Sequence, residues 1–115
     1  MGAWGTGIFD DDVAADVQAM WENATAGCES ASAATAGVLN DIGSDIADDT
    51  EDGPVLRIAL GALQMEAGAV DADVKSRALE AIPQNLERWQ LEASPEDAAA
   101  RAEVLNSLRD RLLSV

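Results

Sequence analysis

Apolar residues recur along most of the chain at intervals of three and four, the spacing that gathers side chains on one face of a helix. The first predicted helix opens at Asp10–Asp12. It carries Val13, Val17, Met20, Trp21 and Ala24 as one stripe, with Gly27 as its stop. A second, from about Glu29, groups Ala31, Ala34, Val38, Leu39 and Ile42 and ends at Gly43. From residue 44 to residue 53 the pattern gives way to a polar, acidic loop. Pro54 suits the first turn of a third helix, where a missing N–H costs little. Val55, Leu56, Ile58, Ala59, Leu60, Ala62, Leu63 and Met65 follow on nearly every side, and a helix apolar all round is a buried one. This is the predicted central helix, with Arg57 and Gln64 as its exceptions and Gly68 as its end.

Asp71 is expected to cap a fourth helix through Val74, Ala78, Leu79 and Ile82, which Pro83 interrupts. Leu86, Trp89 and Leu91 continue the apolar pattern across a short turn. Ser94-Pro95 is a strong helix start, a capping Ser followed by Pro at the first helical position. The last helix sets Ala98, Ala102, Leu105, Leu108 and Leu112 on one face. Ahead of all these, residues 1–9 are apolar and glycine-rich without helical spacing. Gly2, Gly5 and Gly7 allow tight bends, so Trp4, Ile8 and Phe9 are expected to cover the end of the core. The prediction is a single all-α domain over residues 1–115. About five helices pack around a buried central one, with a docked arm (1–9) and an acidic loop (44–53).

Composition agrees with this class. The chain has 115 residues, the size of one domain, and its aromatic content is three Trp, one Phe and no Tyr. Ala and Leu, strong helix formers, dominate the apolar set, and runs that favour strands are missing. Charge changes the picture more. Twenty-two Asp and Glu against seven Lys and Arg give a formal net charge of −15. Such a surface repels nucleic acid and anionic membranes alike. Three readings of the acidity stay open: attraction to a basic partner, mimicry of nucleic-acid charge, and adaptation to a salty cytoplasm. The single lysine, Lys75, against six arginines suits a high-salt or high-GC host. The lone Cys28 reads as a small buried hydrophobe. No stretch has transmembrane length and no leader is expected, so the cytoplasm is the predicted location. Gly2 with Thr6 fits a myristoylation pattern, but one acyl chain on an acidic protein anchors poorly.

The residue types restrict the chemistry. With no His and no Tyr, the usual neutral-pH base and the Ser/His and Cys/His nucleophilic pairs are excluded. Carboxylate-only chemistry is left, either acid–base work or a hard-cation site. Two clusters could supply it. Asp10, Asp11 and Asp12, with Asp16 a turn later, stand at a helix start, where capping alone explains them. Asp48, Asp49, Glu51 and Asp52 precede Gly53. The spacing of Asp48, Thr50, Asp52 and Gly53 echoes the start of an EF-hand loop, yet the position that needs a bidentate Glu falls on Ala59. If the two clusters meet, several carboxylates could share one Ca or Mg ion. Gly5-Thr6-Gly7 invites a phosphate-loop reading, but carboxylates follow it and the Walker lysine is missing. Trp21 and Trp89 sit on apolar faces and read as core. Arg57 needs a partner if buried, and it is expected to tie the central helix to the Asp10–Asp12 turn or to the Asp48–Asp52 loop.

Trp4, Gly5, Gly7, Phe9, Asp11, Asp12, Ala14 and Asp16 fit the pattern Trp-Gly-x-Gly-x-Phe-x-(Asn/Asp)-Asp-x-Ala-x-Asp. This resembles the N-terminal signature of the bacterial domain-of-unknown-function family numbered 4259. The resemblance continues through Asp48 to Val55, the apolar helix that follows, Leu86-Glu87-Arg88-Trp89 and the last helix, so it covers most of the chain. It implies a small helical bacterial protein whose tryptophan–glycine arm and acidic residues belong together. It supplies no substrate, cofactor or catalytic residue.

The functional expectation is a non-enzymatic interaction module, an adaptor or immunity-type inhibitor, that binds a basic partner protein through an acidic face. The alternative is a divalent-metal carboxylate site with possible hydrolytic activity, built from Asp10–Asp16 and Asp48–Asp52. Mimicry of nucleic acid stands third. No nucleic-acid or membrane partner and no resident cofactor are expected.

Overall fold

A computed structural model describes residues 5–27 and 30–115. The expectations for Gly2, Trp4 and Cys28, and a helix start at Glu29, fall outside the described residues. Among those described there are six helices and no strand: α1 (Asp12–Ala26), α2 (Ala31–Ile42), α3 (Ser44–Ala47), α4 (Asp52–Ala67), α5 (Ala72–Glu92) and α6 (Pro95–Leu113).

Local chemistry sets most of the boundaries. Asp11 caps α1, its carboxylate accepting the N–H groups of Val13 and Ala14 at 2.9 and 3.4 Å. Ser30 caps α2 through the Ala33 N–H, and Ser94 caps α6 through the Asp97 N–H, with Pro95 at its first position. Gly68 closes α4 in the left-handed region at φ 75°.

Three expectations need correction. The acidic segment 44–53 is not all loop. Gly43 turns the chain at φ 83°, a single helical turn forms at α3, and α4 begins at Asp52. The Asp49 carboxylate accepts the N–H groups of Glu51 and Asp52 at 2.9 and 2.7 Å, so donors at the α4 entrance are satisfied from before the helix. Pro54 falls one residue pair inside α4, still within the first turn, where its missing N–H has no intrahelical partner to lose.

Second, Pro83 does not break α5, which runs unbroken from Ala72 to Glu92. Its ring is on the exposed side, while Ala78, Ala81 and Ile82 before it, and Asn85 and Trp89 after it, are buried. Packing on both sides of the proline outweighs the one lost backbone bond. Third, Asp71 holds the N-cap position of α5 as expected, but its side chain makes no capping bond. Its side chain is drawn instead to Gln64, fully buried near the end of α4. Gln64 Nε2 donates to Thr35 Oγ1 at 2.7 Å and to Asp71 Oδ2 at 3.1 Å, while its Oε1 accepts the Asp71 N–H at 2.8 Å. The Ser32 hydroxyl adds a bond to the same carboxylate. The polar exception in the central helix thus locks α2, α4 and the start of α5 together.

Helix α4 is the central element. Leu56, Ala59, Leu60 and Leu63 join Ala14, Val17 and Trp21 of α1 and Ala34 and Val38 of α2 in one cluster. Ile58 joins Ala78, Ala81 and Ile82 of α5 and Leu105, Leu108 and Leu112 of α6 in the other. The two close approaches are made at glycines. A Cβ on Gly61 would lie 2.8 Å from the Ala78 Cβ, and one on Gly53 would lie 2.7 Å from the Ala47 carbonyl oxygen. The result is a single all-α globule, and no helix among the described residues is long and apolar enough to cross a membrane.

Because the Pro83 ring faces water, Pro83→Ala should restore an α5 backbone bond without disturbing the core. We expect stabilisation of about 1–3 kcal/mol in urea unfolding. A lower midpoint would show that the ring's own packing or rigidity matters more than the bond it removes.

Candidate functional site: an acidic corner beside the glycine arm

The arm turn is built around one carboxylate and one guanidinium. Asp10 folds back to accept the Gly7 N–H at 3.2 Å, and its own N–H donates to the Gly7 carbonyl at 3.2 Å. A Cβ on Gly5 or Gly7 would stand only 2.6 or 2.8 Å from Asp10 Oδ2, so the chain passes directly over that carboxylate. Phe9 packs against the α1–α4 cluster and Ile8 against the α5–α6 cluster, so the described part of the arm spans both.

From the opposite side comes Arg101 of α6, 2% exposed. Its Nη1 donates to the Gly7 carbonyl at 2.9 Å and to the Thr6 carbonyl at 3.3 Å, and its Nε donates to Asn85 Oδ1 at 3.0 Å. The guanidinium carbon lies 5.3 Å from the centroid of the Trp89 ring, a cation–π contact. Burial pushes the Arg101 guanidinium below its usual range, and the charges of Asp11 and Asp10 pull it back. An arginine holds its proton throughout. No buried side-chain nitrogen or oxygen among the described residues is left without a partner.

The tie expected of Arg57 is not formed among the described residues. Arg57 is only partly buried, and it forms no ion pair with a described carboxylate. Asp10 is taken by the arm, Asp11 by the α1 start and Asp49 by the α4 start, and the buried arginine is Arg101, which ties α6 to α5 and to the arm carbonyls rather than to an acidic segment. A signal for this was present: Arg101 precedes Leu105, Leu108 and Leu112 at spacings of four, three and four, which puts it on the buried stripe of its helix.

The two acidic clusters do meet, though only in part. Asp11 from the first, and Glu51 and Asp52 from the second, line one small recess with Val55, Asn85, Arg88 and Trp89. Its volume is about 20 Å³, room for little more than a water molecule. Burial raises the Asp52 carboxyl above its usual range, and repulsion from Asp49, Asp11 and Glu51 adds to it. Asp49 goes the other way. The Asp52 and Glu51 N–H bonds hold it below its usual range, burial opposes them slightly, and the Arg88 charge assists. Asp12 and Asp16 are exposed on α1, away from the recess, and Asp48 is exposed on the far side of the α3–α4 junction. Among the described residues no three of His, Cys, Asp and Glu are arranged to hold a metal ion. The shared-ion arrangement expected if the clusters met therefore has no ligand set here. Two of the carboxylates that reach the corner, Asp11 and Asp49, are spent on backbone N–H groups.

Comparison with known proteins adds nothing to this geometry: no protein-family model, no curated protein and no solved structure matches the chain.

Two outcomes follow. Arg101→Met leaves Asn85 and two arm carbonyls without a donor, and should cost about 3 kcal/mol or more in urea unfolding. Arg57→Leu should unfold at or above the wild-type midpoint, and the reverse ranking would return the tie to Arg57. The pH dependence has a definite sign. A carboxyl whose pKa is raised by folding destabilises the fold while ionised, so stability should increase as pH falls from neutrality through the raised Asp52 value. The Asp49 contribution runs oppositely and is lost only at lower pH, as its depressed pKa is reached. Asp52→Asn should raise the unfolding temperature at neutral pH and flatten the gain on mild acidification. An unchanged slope would place the repulsion elsewhere.

Proposed function

We propose that the chain is a non-enzymatic interaction module, an adaptor or immunity-type inhibitor, that binds a basic partner protein through the corner where α1 begins and α3 meets α4. The observation that supports this most is the convergence of Asp11, Glu51 and Asp52 on one recess with Asp49 beside it, where burial raises the Asp52 carboxyl and repulsion from its neighbours adds to it. Asp12, Asp16 and Asp48, exposed outside the recess, add charge of the same sign. Arg88 beside this group already pairs with Glu92 at 3.2 Å, an exposed contact of small energetic worth. A lysine or arginine brought by a partner would relieve the repulsion, and the net charge of −15 would steer that partner in.

Membership of the bacterial domain-of-unknown-function family numbered 4259, and a cytoplasmic location, belong to the same proposal. The residues that carry the resemblance support it by their neighbourhood. Gly5 and Gly7 pass over Asp10, Arg101 reaches the arm, and Trp89 lies beneath that arginine. The divalent-metal reading has no gathered ligand set among the described residues to favour it.

The test compares capture of partners from host extract by the wild-type chain and by a variant carrying Asp12→Asn, Asp16→Asn, Asp48→Asn and Glu51→Gln. Among the described residues, none of those four side chains caps a helix or bonds the arm. A basic protein retained by the wild type at low salt, released at high salt and missed by the variant is the expected result. Equal capture by both proteins, or none that responds to salt, overturns the proposal.

A further inference from the structure

Arg57 on α4 and Arg77 on α5 stand together where two grooves adjoin, and both line each groove. One groove, of about 460 Å³, also presents Asp48, Asp49, Thr50, Glu80 and Gln84. The other, of about 600 Å³, presents Thr35, Leu39, Asp71 and Val74. The chain has only seven basic residues to set against 22 acidic ones, so two guanidiniums placed side by side are a departure from its charge balance. Neither forms an ion pair with a described carboxylate. Carboxylates are not lacking: Asp48 and Glu80 share the first groove, and Asp73 precedes Arg77 by one helical turn in the second. Burial pushes the Arg57 guanidinium below its usual range, the Arg77 charge adds to this, and Asp48 offsets part of it. Like charges held together beside unused opposite charges are what an exchangeable anionic group would stabilise. Paired guanidinium forks match the two or three oxygens of a carboxylate or phosphate.

We propose that Arg57 and Arg77 form an oxyanion-binding site, taking the carboxylate or phosphate of a small ligand that also carries a positive group. The positive group follows from the surroundings. A net charge of −15 opposes the approach of a bare anion, whereas a zwitterion carries no such long-range penalty. Asp48 and Glu80 in the first groove then accept its cationic end. The site borders the acidic corner at Asp48 and Asp49 but shares nothing with the recess of Asp11, Glu51 and Asp52, and it does not depend on the partner proposed there.

The experiment follows the side-chain Nε–H signals of Arg57 and Arg77 by NMR in the full chain. Glycerophosphoethanolamine and glycine, both net-neutral zwitterions, are titrated in one buffer, with potassium chloride titrated separately as the control for a simple anion. Saturable movement of both signals with at least one zwitterion, and none with chloride, is expected. Whichever zwitterion saturates first assigns phosphate or carboxylate. Arg77 is exposed, so Arg77→Gln should keep the fold while weakening the saturation seen at Arg57 about tenfold or more, the loss of a charge-assisted contact. The same unsaturated drift with all three solutes would mean a non-specific solute effect alone and would overturn the site. So would undiminished binding in Arg77→Gln.

Discussion

Helix α4 has no face to give to water. From Gly53 to Gln64 nearly every position is buried, so the helix exists only as the filling between other elements. That constraint organises the molecule. One side of α4 must be covered by α1 and α2 and the other by α5 and α6, which is why the core divides into two clusters with α4 in both. Close packing of this kind leaves backbone approaches that admit no extra methyl, and Gly53 and Gly61 occupy two of them. The polar groups that α4 carries inward are matched as well. Gln64 meets Thr35 and Asp71 with both ends of its amide, so a buried side chain that could have been a defect becomes a three-helix clamp.

A second polar tie closes the end of the bundle where the arm lies. Arg101 is held between Trp89, Asn85 and the carbonyls of Thr6 and Gly7, while Asp10 engages the Gly7 N–H from the other direction. The turn is therefore gripped at both its donor and its acceptor, and Asp10 and Asp11 supply negative charge that keeps a buried guanidinium tolerable. This arrangement also determines which acids are left for anything else. Asp10, Asp11 and Asp49 are engaged with backbone N–H groups, whereas Asp12, Asp16, Asp48 and Glu51 keep their carboxylates without such bonds. The acidic corner thus combines carboxylates that hold the fold with others whose charge faces outward. The repulsion concentrates on Asp52 between them.

Helix positions were legible because each depends on side chains close in sequence. Val13, Val17 and Trp21 share a stripe whatever lies opposite, and Ser30, Ser94 and Gly68 act on the backbone within three residues of themselves. Two of the misreadings occur where a distant contact or packing overrode a local rule. Pro83 reads as a break until packing on both sides of it is known, and Asp71 reads as a cap until Gln64 is seen to claim it. The segment 44–53 reads as a loop although a turn of helix and the entrance to α4 fit inside it. Arg57 and Arg101 were separable in principle. One interrupts a helix buried all round, and the other lies on the buried stripe of an amphipathic helix, but only geometry shows which reaches the arm.

By itself, then, the sequence determined an all-α chain, its apolar central helix, the glycines of the arm, the acidity and the absence of His and Tyr chemistry. These are properties of composition and of spacing within a few residues. Tertiary structure alone decided that Arg101 holds the arm, that Asp11 and Asp52 share a recess, and that Arg57 and Arg77 stand together. Each of these joins residues from different helices, and their distance is set by how the helices pack around α4. Periodicity says which way a side chain faces along its own axis. It does not say what the facing helix brings to meet it.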